Sequence, residues 1–150
     1  MHLDSNNIEK YLKKLDKNSS PMWGTLNPSQ MLFHCNTFIE VSLGRKKMSF
    51  ITRISSRLFF RYFFLNYLNY IDFNINKFKR NSATLTIFKT FPRTIDFDNE
   101  KNRLIYIYKK IEEINTEKVF HQMYGQIPSS VLKKLVRFHT SYHLNQFGLF

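Results

Sequence analysis

Residues 128–147 read PSSVLKKLVRFHTSYHLNQF, and the reading of this stretch decides the fold. Steps of three and four return to one face of a helix, so Leu132, Leu135, His139, Tyr142, His143 and Gln146 form a single inward stripe. Four helical residues advance about 6 Å and slightly more than one turn. His139 and His143 can therefore turn their imidazoles towards one point, as a two-ligand metal clip requires. A lone HxxxH pair more often marks two core histidines satisfied by hydrogen bonds, so the metal reading depends on a third ligand.

That third histidine is supplied near the other end of the chain. Asn27 is a good N-cap, Pro28 suits the first helical position and Gln30 at N3 completes a capping-box pattern. The helix they open runs to about Gly44 and places Met31, His34, Phe38 and Val41 on one face. A helix after Asp4 or Ser5 has Ile8, Tyr11, Leu12 and Leu15 as its apolar side. It stops at Asn18 to Pro21, and Trp23 follows in a loop as an expected plug over the core. Another begins at Asp96, acidic early and basic late as the helix dipole prefers, and buries Leu104, Ile107, Tyr108 and Ile111.

Between these lie two less regular segments. Ser49 to Tyr70 has helical potential, with Ile51, Ile54, Leu58 and Phe59 opposite Arg53, Arg57 and Arg61. The preferred expectation is a covering helix with apolar residues inward and solvated arginines; a membrane-surface or partner-binding helix is the functional alternative. Residues 74–94 read as extended or looping. Thr116 to Ile127, with His121 and Gly125, reads as a connector to the last helix. The predicted fold is all-α, one domain over residues 1–150: four helices joined by two short links and one long crossover between helices two and three.

A chain of 150 residues can bury about two thirds of its unfolded surface without covalent staples. Four glycines and four prolines are too few for a many-stranded sandwich. Cys35 is the single cysteine, which excludes an internal disulfide. No signal-peptide pattern opens the chain, and the uncharged run Tyr62 to Ile71 is too short to span a bilayer. A cytoplasmic protein is expected. The formal charge of +12 favours anionic partners, but no nucleic-acid motif accompanies it, and a solvated basic surface is the preferred reading.

Several segments resemble a DinB-like family of bacterial proteins within the DinB/YfiT-like superfamily. WGTLNPSQMLFHC resembles its WGxMxxxQMLxH opening, HQMYGQI a variant of its HPFFGKL stretch, and HTSYHLNQFG its C-terminal HLDHHLRQFG. FKRNSAT in the crossover and TIDFDNEKNRLI before helix three belong to the same pattern. His34, His139 and His143 fall on the family's ligand positions, and Gln30, Gln146, Phe147 and Gly148 also match. Unlike the family, the last helix opens with Pro-Ser-Ser-Val-Leu-Lys rather than an acid-rich Trp-Gly segment, and residues 49–70 are richer in aromatics.

The resemblance implies a metal-binding four-helix bundle with His34, His139 and His143 as ligands. Three imidazoles suit Zn, Ni or Fe and leave a position open for substrate. Gln30, Gln146 and Tyr142 are the candidate neighbours that orient a ligand or substrate. No Asp or Glu shares the histidine stripes, and Cys35 projects about 100° from His34 as a buried filler. Some members of the superfamily act through low-molecular-weight thiols, so the expected activity is a metal-dependent thiol S-transferase or a hydrolase-like reaction on a small-molecule substrate. Two alternatives stand beside it: a non-catalytic metal- or ligand-binding bundle, such as a stress-response protein, and a basic peripheral protein on anionic surfaces. A homodimer is one assembly open to such a chain, and the sequence does not decide the oligomeric state.

Overall fold

The computed structural model describes residues 3–150. Helices dominate: α1 (Ile8–Lys13), α2 (Pro28–Ser42), α3 (Phe50–Phe59), α4 (Leu65–Tyr70), α5 (Phe97–Glu112) and α6 (Ser129–Gln146). A two-stranded antiparallel sheet, β1 (Lys118–His121) and β2 (Gly125–Pro128), stands immediately before α6. The all-α expectation is corrected to this extent.

Helix starts follow the sequence closely. Asn27 Oδ1 accepts from the Gln30 amide at 2.9 Å and Gln30 Oε1 accepts from the Asn27 amide at 3.1 Å, a complete capping box with Pro28 at the first position. Asp96 accepts from the Asn99 amide at 2.9 Å. Asp4 acts one turn ahead of α1, accepting from the amides of Asn6 and Asn7. Caps of this kind contribute about 1 kcal/mol each.

Helix α2 is the central strut, with Met31, Leu32, Cys35, Ile39 and Val41 inaccessible to solvent. It packs against α5 and α6, while α1 packs on α5. The expected faces of α1 and α5 are buried as read. Each fully buried Leu or Ile contributes on the order of 1.5–3 kcal/mol. Polar ties cross the same seams. Asn36 Nδ2 donates to Glu100 Oε2 at 2.6 Å, Arg103 bridges Glu100 and Glu40, and Arg137 grips both carboxylate oxygens of Glu112 at 2.7 and 2.9 Å.

The segment read as a connector is a hairpin. Val119 and His121 point inward and alternate with exposed Lys118 and Phe120, a period of two. Gly125, at φ +71°, closes the three-residue turn Gln122 to Tyr124 in a conformation other residues adopt only under strain. His121 is fully buried there. It accepts from the Met123 amide at 3.1 Å through Nδ1 and donates through Nε2 to Ser42 at 2.9 Å.

Residues 50–70 are helical as expected but interrupted by a π turn, Phe60–Phe64. Ser56, Phe64 and Leu68 face the body of the protein at multiples of four. A 3.6-residue period drifts away from that spacing, and the wider i→i+5 turn absorbs most of the drift. The orientation of α3 reverses the expectation. Ile51, Leu58 and Phe59 are exposed, at 80%, 61% and 63%. Arg53 and Arg57 are half-buried on the inner side. Two inward contacts account for it: Arg57 Nε donates to the Gln122 carbonyl at 3.4 Å with its guanidinium 4.8 Å from the Phe120 ring centre, and Arg61 lies over Gly125. The hairpin, absent from the sequence reading, is what the arginines cover.

Residues 74–94 are irregular as read, apart from two short 3-10 turns, Ile75–Lys77 and Thr86–Phe88. Among the described residues no helix is long and apolar enough to cross a membrane.

Candidate metal centre

His34 on α2 and His139 and His143 on α6 converge, each offering one ligand atom within 4.8 Å of the others. Their ring centres are 4.5 to 4.9 Å apart. Nitrogens bound to one tetrahedral zinc at about 2.0–2.1 Å stand about 3.3 Å from each other, so only small side-chain adjustments separate this cluster from a ligand set.

The protons on these rings are dictated by their neighbours. His34 Nδ1 lies 2.8 Å from the Phe88 carbonyl, which can only accept, so Nδ1 carries the proton and Nε2 presents a lone pair. Gln146 Nε2 donates to the Trp23 carbonyl at 2.6 Å. That turns Gln146 Oε1 towards His143 Nδ1 at 3.0 Å, where it accepts and again leaves Nε2 bare. His139 Nε2 sits 3.0 Å from His34 Nε2, and its Nδ1 is buried with no hydrogen-bond partner. Stacking on Phe38 at 3.9 Å holds its ring plane instead. Two rings are thus held by backbone-anchored acceptors, and the third turns Nε2 to His34 while its Nδ1 is buried without a partner. This donor set fits a divalent cation.

Electrostatics point the same way. Burial lowers the pKa of His34 against the smaller raising effect of its Phe88 bond. His143 is pushed down to about 3 by burial and then by His34. Burial, followed by its two imidazole neighbours, holds His139 well below the ordinary range. Near neutral pH all three are uncharged, so no proton competes for the lone pairs.

Beside the cluster lies a cavity of about 530 Å³. Its wall is drawn from the 23–26 loop, the crossover, α4, α6 and the hairpin turn, with Leu26, Phe64, Leu68, Leu85 and Phe91 among its apolar residues. Among the described residues, Lys89 is the one Lys or Arg in its wall, and no carboxylate lines it. Trp23 is half-buried at the cavity, with Arg80 4.2 Å from its ring centre and Tyr142 against its edge. Gly24, at φ +79°, passes so close to Gln146 that a Cβ would stand 2.4 Å from Nε2.

Of the three neighbours read from the sequence, Gln146 orients His143, and Tyr142 lines the cavity with its ring edge-on to His143 at 5.2 Å. Gln30 has its carbonyl in the capping box and is not part of the cavity wall. His121 is also outside that wall, tied to Ser42. Cys35 is fully buried against Met31, its thiol pKa pushed up by burial. Two parts of the centre escaped the sequence reading, the Phe88 and Trp23 carbonyls, because a main-chain acceptor leaves no side-chain signature. Comparison with family models, with curated proteins and with solved structures gave no match.

Proposed function

We propose that the chain is a DinB-like protein that binds a divalent metal, Zn, Ni or Fe, through His34, His139 and His143 and transfers a low-molecular-weight thiol to an apolar electrophile. In this reading α1, α2, α5 and α6 are the four bundle helices and the segment between α2 and α5 is the long crossover; the packing of α2 on α5 and α6 supports it. The observation that carries the functional reading is the placement of three neutral imidazoles, two with lone pairs fixed by their neighbours, at the wall of an apolar cavity. When bound, the metal supplies Lewis-acid chemistry that favours an anionic sulfur or oxygen over its protonated form.

The remaining work falls to the chain itself. Phe88 and Gln146 hold His34 and His143 in the tautomer that presents Nε2. Phe64, Leu68 and Leu85 exclude water from the body of an apolar substrate, and Lys89 supplies a positive charge for a negatively charged group. Cys35 is sealed in the core, so the thiol comes from a co-substrate. Hydrolysis of a small-molecule substrate is the variant in which water takes the place of the thiol.

Elemental analysis of the purified chain tests the metal half: near-stoichiometric metal in the parent and its loss in His139→Ala. Cobalt-loaded protein tests the rest, with a visible spectrum that changes on addition of a thiol. A spectrum indifferent to thiols and small anions removes the enzyme reading and leaves a metal-binding bundle.

A further inference from the structure

The outward face of residues 50–70 is not used by the metal centre. Phe50, Ile51, Leu58, Phe59, Tyr62 and Phe63 are each more than 60% exposed. The helical run they occupy is about 30 Å long at 1.5 Å per residue, and none of these six side chains lines the cavity beside the histidines. Contiguous exposed apolar surface of this kind marks an interaction site.

Charge identifies the occupant. Residues 45–95 hold eleven of the twenty-three basic residues and only one of the eleven acids, Asp72. Arg45, Lys46 and Lys47 lead directly into α3. Lys77 and Lys79 flank α4, because Phe78 between them packs on Phe64 and Tyr67. Arg53 borders the apolar face, its guanidinium 5.5 Å from the Phe50 ring centre, while Arg57 and Arg61 turn to the hairpin; a face of this kind is immersed by roughly 5–10 Å, with basic residues at its border among the headgroups. A second copy of the chain brings the same positive field to the same face, which opposes self-association.

We infer that residues 50–70 form an in-plane membrane anchor: the apolar face enters a bilayer whose anionic lipid headgroups meet the basic residues of the surrounding crossover. With Arg53, Arg57 and Arg61 along it, the run is too polar to span the bilayer, so the protein lies on the surface. Phe64 and Leu68, on the inner side of the same run, are part of the cavity wall. The anchor therefore sits directly behind the candidate metal centre.

Flotation of the intact chain with vesicles tests the inference. Binding to phosphatidylcholine mixed with phosphatidylserine should exceed binding to phosphatidylcholine alone and weaken with salt, by on the order of fivefold for each basic residue neutralised among Lys47, Lys77 and Lys79. An Ile51→Gln/Leu58→Gln/Phe63→Gln variant should lose binding while unfolding at the parental temperature, since each immersed side chain contributes about tenfold or more. Tyr106→Gln, a control for exposed apolar surface on α5, should bind normally. In a separate Phe63→Trp variant the added indole emission should shift to the blue on mixed vesicles. The anchor is overturned by failure to bind mixed vesicles, by unchanged binding of the triple variant, by binding without the blue shift, or by a concentration-dependent dimer that the triple variant abolishes in place of vesicle binding.

Discussion

The interior of the histidine centre and the outer face of α3 invert each other. In one, polar side chains are buried and two of three imidazoles are held by partners traceable to the backbone. In the other, large apolar side chains stand in solvent while arginines turn inward to a hairpin. Each arrangement costs stability in an isolated chain: a buried donor atom without a partner in the first, exposed hydrocarbon in the second. Costs of that kind persist in a fold when a ligand relieves them, which is why the two regions are read as sites and the well-satisfied His121 is not.

The largest effect expected at the inner site is that of His139→Ala, which should reduce metal retention in elemental analysis to background. Gln146→Ala should weaken metal binding by about 10- to 100-fold in a competition titration, because His143 loses the acceptor that fixes its tautomer. If it binds as the parent does, the relay from the Trp23 carbonyl has no role.

Gly24→Ala sharpens the same relay by geometry. The added Cβ meets Gln146 Nε2 at a backbone angle that disfavours alanine, and a loss of about 1–3 kcal/mol in denaturant unfolding is expected.

One part of the pH dependence comes from His121, whose pKa is pushed down to about 3 by burial, against about 6.5 when unfolded. Between those values the unfolded chain binds the extra proton, so this contribution is complete above about pH 6.5 and is lost as pH falls towards 3. On that account the parent should lose about 2 kcal/mol between about pH 7 and pH 5 through this residue alone, and His121→Asn should flatten the slope by nearly one proton.

The smallest effect is the sharpest contrast. Ile51→Ser on the outer face should change stability by no more than about 0.5 kcal/mol, whereas Leu68→Ala on the inner face should cost about 2–5 kcal/mol. Equal costs would mean that the outer face is packed.

What the sequence made legible was whatever repeats with a helical period or carries a side-chain signature. The capping box at Asn27, the Asp96 cap, the buried stripes of α1, α2, α5 and α6, and the inward histidines all have that character. The hairpin was missed because two strands of four residues are too short for alternation to stand out from a loop, although Gly125 marked its turn. Missing it reversed α3: an amphipathic pattern specifies two faces and not which one is inward, and only the hairpin beneath Arg57 and Arg61 decides. Phe88 and Trp23 entered the centre through their carbonyls, which every residue possesses.

X-ray absorption on the zinc-loaded chain tests the central claim most directly. Three imidazole nitrogens at about 2.0–2.1 Å, with one further light-atom ligand replaced by sulfur when a thiol is added, is the predicted result. A zinc coordinated by fewer imidazoles, or a coordination sphere that is the same in His34→Ala and His139→Ala as in the parent, would contradict it.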